Sequence, residues 1–371
     1  MNPQPLFCPI ETCPSRGIVG AGNLTIHDSL RNRWRCRVCG KTFSGNKGTI
    51  FYGLKHPSQL VVWVVSLLSF GCPLQAIVRT FGLDERTVAA WQKKAGEHAE
   101  AVHTHLVTTQ PRDLGQVQAD EIRAKRQGRL ALWIAMAIQV PTRLWLGGVV
   151  SPSRNGKLIW HLAQLVRAQA LERPLLLVTD GFSSYVTAWK RAFATRVPRL
   201  KGRGARRLQP WGGIVIGRVI KSYQKLRCLG VEHRCLSQGN WEEFALLSLP
   251  GQVLNTAYIE RLNATFRQRL CGLVRRGRCL LRKEAVLQKN MYLVGCIYNF
   301  CTPHQSLKGQ QTGAENTPAM AAGITDNIWS IGDLLRYQIA PPPYIPPKPW
   351  SNRGRPKGSK NKPKLPQEAM V

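Results

Sequence analysis

Acidic residues are few in this chain: 20 Asp and Glu stand against 53 Lys and Arg among 371 residues, a formal charge of +33. Such an imbalance repels itself on compaction unless a polyanion shares the charge. Nucleic acid is then the default partner, because each neutralised phosphate also releases a condensed counterion. A basic ribosome-associated protein, or merely a basic soluble one, is the plainer alternative. Long apolar runs are missing too. The longest, residues 60–70, is too short to span a bilayer and is followed by Gly71-Cys72-Pro73. Neither a basic amphipathic helix nor a lipid-anchor motif is present, so no membrane partner is expected. The opening MNPQPLFCPIETCP lacks the basic start and apolar stretch of a signal peptide, which makes a cytoplasmic location the expectation. There is no internal repeat. Eleven cysteines in such a chain point to metal ligands and buried thiols rather than disulfides.

This scarcity gives the remaining acids weight. Between residues 114 and 300 the only aspartates are Asp120 and Asp180. Acids beside strands repel phosphate, so a DNA-gripping protein needs a reason to place them there, and metal binding is the commonest.

Composition divides the chain into a cysteine-paired segment (1–50), a segment of helical period (56–108), a region that alternates strands and helices (114–335), and a Pro-rich basic tail (340–371). Within the third, residues 195–250 are basic and Gly-rich, with short strand-like runs at 213–220 and 228–231 that suggest an added hairpin, and 251–300 carry a long helical pattern. The tail cannot build a core and is expected to be disordered alone.

Cys8-x4-Cys13 and Cys36-x2-Cys39 are two close pairs 22 residues apart. Four thiolates close a tetrahedral shell around zinc, each pair on a tight turn that aims both sulfurs one way. Gly40 suits the turn after the last ligand, and 22–34 alternates like a short hairpin, so the pattern is that of a zinc ribbon. Closed shells are structural, stabilising a module too small for its own core. His27 reads as a surface residue, and cysteines 72, 228, 235, 271, 279, 296 and 301 as small core residues.

Residues 57–70 form a candidate apolar helix. Pro73 then suits a helix start and Gly82 its end, and Asp84 caps a further helix with Val88 and Trp91 at i, i+3. Two helices joined by a short Gly-containing turn fit a helix-turn-helix. Its second helix offers Arg86, Thr87, Gln92, Lys93 and Lys94 to groove and phosphate.

From residue 115 the pattern is three strands, a helix at 155–170, then the wholly apolar strand PLLLVT at 174–179. Asp120 sits near the exit of the first strand and Asp180-Gly181 follows the fourth. A helical crossover lets those two strands be parallel neighbours, with their carboxylates side by side. Asn255 or Thr256 can cap a later helix with Glu260 one turn in, and with Asn263 and Arg267 at i+3 and i+7. The three acids then make a cage for two hard cations, Mg2+ or Mn2+, of the kind phosphodiester chemistry uses. Arg123, Lys125, Arg126 and Arg129 lie close after Asp120 to hold phosphates. Glu121 rivals Asp120, since strand neighbours face opposite sides; the shorter reach favours Asp120.

Together the four-cysteine ribbon, the helix pair, ADE at 119–121, TDGFSSY at 179–185 and YIERLNATFRQRL at 258–270 resemble the DDE transposases of bacterial insertion sequences, and within them the group named for the first insertion sequence. YNFCTPHQSL at 298–307 and NTPAMAAGI at 316–324 look like that family's segments after the glutamate, and the likeness covers roughly 5–335. The resemblance implies an α/β, RNase H-like mixed sheet flanked by helices, preceded by the zinc ribbon and helix-turn-helix. It implies Asp120, Asp180 and Glu260 as the metal-binding catalytic triad, which cuts DNA at terminal inverted repeats and joins the 3′ ends to target DNA. A homo-oligomer on double-stranded DNA, associated with the nucleoid of a prokaryotic cell, goes with it. The long interval between Asp180 and Glu260 departs from the family. A non-catalytic DNA-binding regulator, a decayed transposase and a structure-specific nuclease are the alternatives. In the tail, Arg353-Gly354-Arg355-Pro356 resembles an AT-hook whose arginines enter the narrow minor groove.

Overall fold

The computed structural model describes residues 7–127, 131–197, 207–224, 227–235, 242, 247, 254–274, 281, 283–307 and 313–346. The AT-hook-like segment with Arg353 and Arg355 lies outside them, as do most of residues 236–253. The chain forms two compact units, one of residues 5–45 with 340–371, the other of 1–4 with 46–339.

The smaller unit holds a three-stranded antiparallel sheet of β1 (Leu24–Asp28), β2 (Arg33–Cys36) and β3 (Thr42–Ser44), in that order. Asn32, with φ of +48°, turns the chain between β1 and β2. Gly40, at φ +69°, turns it between β2 and β3, in a conformation that L side chains resist. An apolar cluster here gathers Cys8, Cys13, Cys36 and Phe43, with Trp34 and Leu24 beside them, and it is the only one among the described residues of this unit. So small a core leaves the module dependent on another staple.

The larger unit opens with α1 (Ser58–Ser69), α2 (Leu74–Phe81) and α3 (Glu85–His103). Gly82 ends α2 in the left-handed region, and the Asp84 carboxylate caps α3 by accepting from the Arg86 and Thr87 N–H groups. Next come β4 (Gln116–Lys125), β5 (Ala131–Gln139), β6 (Trp145–Ser151), α4 (Gly156–Ala168), β7 (Leu175–Thr179) and α5 (Ser184–Ala192). A two-stranded ribbon of β8 (Ala194–Arg196) and β9 (Leu208–Pro210) precedes β10 (Ile214–Gln224) and β11 (Arg227–Cys235). The main sheet is mixed and six-stranded, in the order β11-β10-β7-β4-β5-β6. β4 and β10 flank β7 in parallel, and the remaining pairs are antiparallel. The all-apolar β7 is buried throughout, as a strand covered on both faces must be. The hairpin read as an addition is therefore part of the sheet: β10 pairs with β7 through Ile214–Arg218, and β11 forms the edge.

Helices α6 (Ala257–Arg269), α7 (Glu284–Cys296), α8 (Pro318–Ala321) and α9 (Ile331–Arg336) complete the unit. The single helical pattern read over 251–300 is thus two helices. Leu270 leaves helical geometry at φ −107°, ψ 104°, and Cys271–Leu273 form a 3-10 turn. That turn leaves Cys271 exposed rather than in the core, and Cys72 is also partly exposed, whereas Cys296 is buried. At the core, Trp145 packs against His103, Phe266 and Tyr292. A Cβ at Gly295 would overlap the Trp145 ring, so α7 needs glycine to lie this close to β6.

Candidate functional site

In the smaller unit the four sulfurs of Cys8, Cys13, Cys36 and Cys39 lie within 4.8 Å of one another. Cys8 Sγ is 3.8 Å from Cys39 Sγ, and Cys13 Sγ is 3.8 Å from Cys36 Sγ. A zinc–sulfur bond of about 2.3 Å gives a tetrahedron with edges of about 3.8 Å, so the donor set fits zinc. Disulfides would bring the sulfurs to about 2 Å. The Asn23 amide donates to Cys36 Sγ at 3.2 Å, a contact that orients a thiolate. Burial opposes ionisation of Cys36, but the Cys39 and Val38 N–H groups outweigh it and bring the thiol down to about 7. Burial pushes Cys8 and Cys13 up, so without a cation this cluster does not hold four thiolates.

The second cluster lies in the larger unit. The sequence reading placed Asp120 near a strand exit, yet β4 continues to Lys125. What ends there is the parallel ladder with β7, at Ala119↔Thr179, so Asp120 and Asp180 are the next residues on their two chains. The oxygens of Asp120, Glu121 and Asp180 come within 4.8 Å of one another. Asp120 and Glu121 face opposite sides of β4, but Asp180 stands past the end of β7, where both reach it. Phe182 N–H donates to Asp180 Oδ1 at 2.9 Å, and Arg218 bonds the Gly181 carbonyl; together these fix the turn.

Gln118 positions the third predicted acid. It lies two residues before Asp120, hence on the same face of β4, and is fully buried. Its Oε1 accepts from the Tyr258 and Ile259 N–H groups at 3.0 Å each, and its Nε2 donates to the Asn255 carbonyl at 2.8 Å. The strand thereby satisfies the orphan donors that begin α6. One turn on, Asn263 donates to Asp120 Oδ2 at 2.7 Å. Glu260 lies between these anchors, accepting from Thr256 Oγ1 at 2.7 Å and paired with Lys221. It does not join the Asp120–Glu121–Asp180 cluster but shares with Asp120 and Asp180 a cavity of about 790 Å³, also lined by Arg154, Lys221, Asn263 and Arg267.

Burial is the largest influence on the two β4 acids. It lifts Asp120 to about 6, helped by the Asp180 and Glu260 charges and opposed by the Glu121 N–H. Glu121 rises to about 7 through burial and the Asp180 charge, against the pull of Arg154. Burial also raises Glu260, but hydrogen bonds from Lys221 and Thr256 outweigh it and hold the carboxyl below its ordinary value. Arg154 spans Glu121 at 3.0 Å and Asp180 at 3.4 Å, and stacks 4.3 Å from the Phe182 ring centre. Behind it the Glu121 side chain is 1 % exposed and leaves Oε1 without a hydrogen bond. Of the rivals on β4, Asp120 opens to the cavity and Glu121 is closed off. The close oxygens of Asp120, Glu121 and Asp180 suit a hard divalent cation, which would have to displace or share them with Arg154.

The other sequence candidates are scattered. Asn263, read as a DNA contact, is 1 % exposed and bound to Asp120, because its place on α6 turns it inward. Arg267 lines the acid cavity, and Arg123 is exposed on the face of β4 opposite Asp120. On α3, Arg86 and Lys93 are exposed. Lys94 Nζ instead bonds the Tyr52 carbonyl at 2.5 Å, and Gln92 lines a cavity with Leu68 and Leu270. Arg86 and Lys93, seven residues apart, share an exposed face of α3, with Thr87 half-buried beside them. The sequence reading missed Gln118, Arg154 and Lys221. A glutamine two places before Asp120 in a buried strand was a usable signal for the first; no local pattern marked the others. No family model matches the chain, and no curated protein matches it.

Proposed function

We propose that this protein is a DNA transposase of the insertion-sequence type, acting through divalent cations held by Asp120, Asp180 and Glu260. One observation carries the reading: three acids distant in sequence line a single open cavity in a chain of +33 formal charge. The strand order supports an RNase H-like sheet, with the first acid on the central β4, the second just past its parallel neighbour and the third on a following helix. The sulfur tetrahedron supports structural zinc, and the glycine-linked, aspartate-capped pair α2–α3 supports a helix-turn-helix.

Divalent ions, when bound, supply Lewis-acid activation of the attacking and leaving oxygens in an in-line displacement. Asp120 and Asp180 present adjacent oxygens at the sheet's open end, with Asp120 oriented by Asn263. Glu260 faces them from α6, its reach set by Gln118 at the helix start. Arg267 lines the same cavity and is placed to attract phosphate, while Lys221 pairs with Glu260. Hydrolysis puts a water oxygen on phosphorus and frees a 3′-hydroxyl, and strand transfer then forms one phosphodiester bond as another breaks, so no external energy source is needed. The test is strand joining in Mg2+ on a plasmid that carries the DNA ends flanking the coding region. Activity that disappears in Asp180→Ala supports the reading. Sequence-specific binding without any joining or cleavage would sink it in favour of a regulator.

A further inference from the structure

A second charged cavity lies along the seam of α4 and α5 and takes no part in the chemistry above. It consists of two pockets that share Trp160 and Arg191 in their lining. The first, about 300 Å³, is lined by Gly156, Ser183, Ser184 and Thr187 and ends at Trp160 and Arg191. The second, about 730 Å³, shares Trp160 and Arg191 and continues past Arg167 to Arg196 and Leu208. The two helices start side by side, since a Cβ on Gly156 would be 4.0 Å from Ser184 Oγ. Both starts adjoin the acid cavity: Gly156 is two residues after Arg154, and Ser183 three after Asp180.

The guanidiniums here are held by aromatic faces. Arg167 stacks 3.5 Å from the centre of the Trp211 ring, and Arg191 stacks 4.6 Å from that of Trp160. Among the described residues none of Arg167, Arg191 and Arg196 forms an ion pair, and no acid lines either pocket. Glu172 acts on Arg167 only through space. Contrast Arg154 and Lys221, whose charges are matched by Glu121, Asp180 and Glu260. A stacked guanidinium keeps its planar fork of donors pre-organised and its charge uncompensated. Three in one groove repel one another until an anion lies there.

We propose that this groove is a track for the sugar-phosphate backbone of duplex DNA, guiding it to or from the acid cavity. The inference rests on the DNA-processing reading above and deepens it. From Gly156 to Arg167 the helix rises roughly 16 Å. One strand of B-DNA presents roughly five phosphate charges over that length, enough to engage all three arginines. The sequence reading did not single out these arginines, because Trp160–Arg191 and Arg167–Trp211 are pairs made between elements.

The experiment measures binding of a fluorescein-labelled, mixed-sequence duplex to the full chain across a salt series. Each phosphate contact contributes about 0.9 to the slope of log K against log salt. Arg167→Gln/Arg191→Gln/Arg196→Gln is expected to lower the slope by roughly 2–3, and the exposed pair Arg191→Gln/Arg196→Gln, which tests the track without touching the Trp211 stack, by roughly 1–2. In cleavage assays the loss falls on KM for DNA more than on kcat. Lysine at the three positions restores most of the slope but less of the affinity, since the stacks are gone. Unchanged slope and affinity in both glutamine variants overturns the proposal. Cleavage by the unsubstituted chain and its loss in Asp180→Ala test the enzymatic reading separately. A slope loss in a chain that never cleaves would leave the track standing and remove the transposase.

Discussion

The four-cysteine cluster and the three-acid cavity are both built to hold cations, and they manage the charge of their ligands in opposite ways. The cysteines turn inward on tight loops, and three of the four are buried. The acids stand at an open sheet end, and the protein's own cations already lie against them: Arg154 on Glu121 and Asp180, Lys221 on Glu260. A closed shell that has no substitute for its metal makes the metal part of folding. An open one with resident cations tolerates the metal's departure, and leaves room for a substrate.

The sharpest way to break this contrast is to remove a ligand from each site. Cys36→Ser, or a strong chelator, should unfold the smaller unit, since structural zinc contributes on the order of 10 kcal/mol to modules of this kind. Elemental analysis should find one zinc per chain before the substitution and none after, with loss of amide dispersion for residues 7–45. A module that stays folded without zinc would make the two sites alike. Asp180→Ala should have the opposite profile. Cleavage falls roughly 10³-fold or more, equivalent to about 4 kcal/mol of transition-state stabilisation. The metal-free melting temperature should hold or rise, because Asp180 raises the pKa values of both Asp120 and Glu121.

The two sites also differed in how far they could be read beforehand. The cysteine ligands are local pairs, and spacing alone gathers them. The acids needed topology: the apolar run ending at Thr179 and the helix before it were enough to make β4 and β7 parallel neighbours, which set Asp120 beside Asp180. Glu260 was placed one turn into its helix from the Asn255-Thr256 cap pattern, and it lies there. What stayed hidden was made by side chains meeting across elements. Gln118 reaches the start of α6 across 140 residues, and Arg154 leaves a loop to span two acids. The inward turn of Asn263 likewise depends on which face its helix buries, and its polarity suggested the opposite. The runs at 213–220 and 228–231 read as strands, and the structure places them in the main sheet; nothing local to Ile214–Arg218 marks that run as the partner of β7.

Gln118 offers a finer cut, separating the placement of Glu260 from its charge. Gln118→Leu removes the acceptor for two helix-start N–H groups, at a cost of about 1–3 kcal/mol by thermal or urea unfolding. If the helix start sets Glu260, kcat should drop while Asp120 and Asp180 remain in place. An unfolding penalty with kcat intact would mean that Lys221 and Thr256 hold Glu260 unaided.

The smallest expected effect concerns pH, and it distinguishes an open acid site from a permanently closed one. Folding raises Asp120 from 3.8 to about 6 and Glu121 from 4.5 to about 7. Carboxyls raised in this way favour the folded state while protonated. Their contribution is therefore full below about pH 4 and is lost as pH climbs through about 6 to 7. In chelator the melting temperature should drift down across that window. In Mg2+ the drift should vanish or reverse, since only the ionised forms bind the cation and metal affinity grows over the same interval. Asp120→Asn should flatten the chelator profile and weaken the magnesium response together. A metal-free profile that rises through this window would mean that Arg154 outweighs burial at Glu121, and that the site is poised as a salt bridge rather than as a receptor for metal.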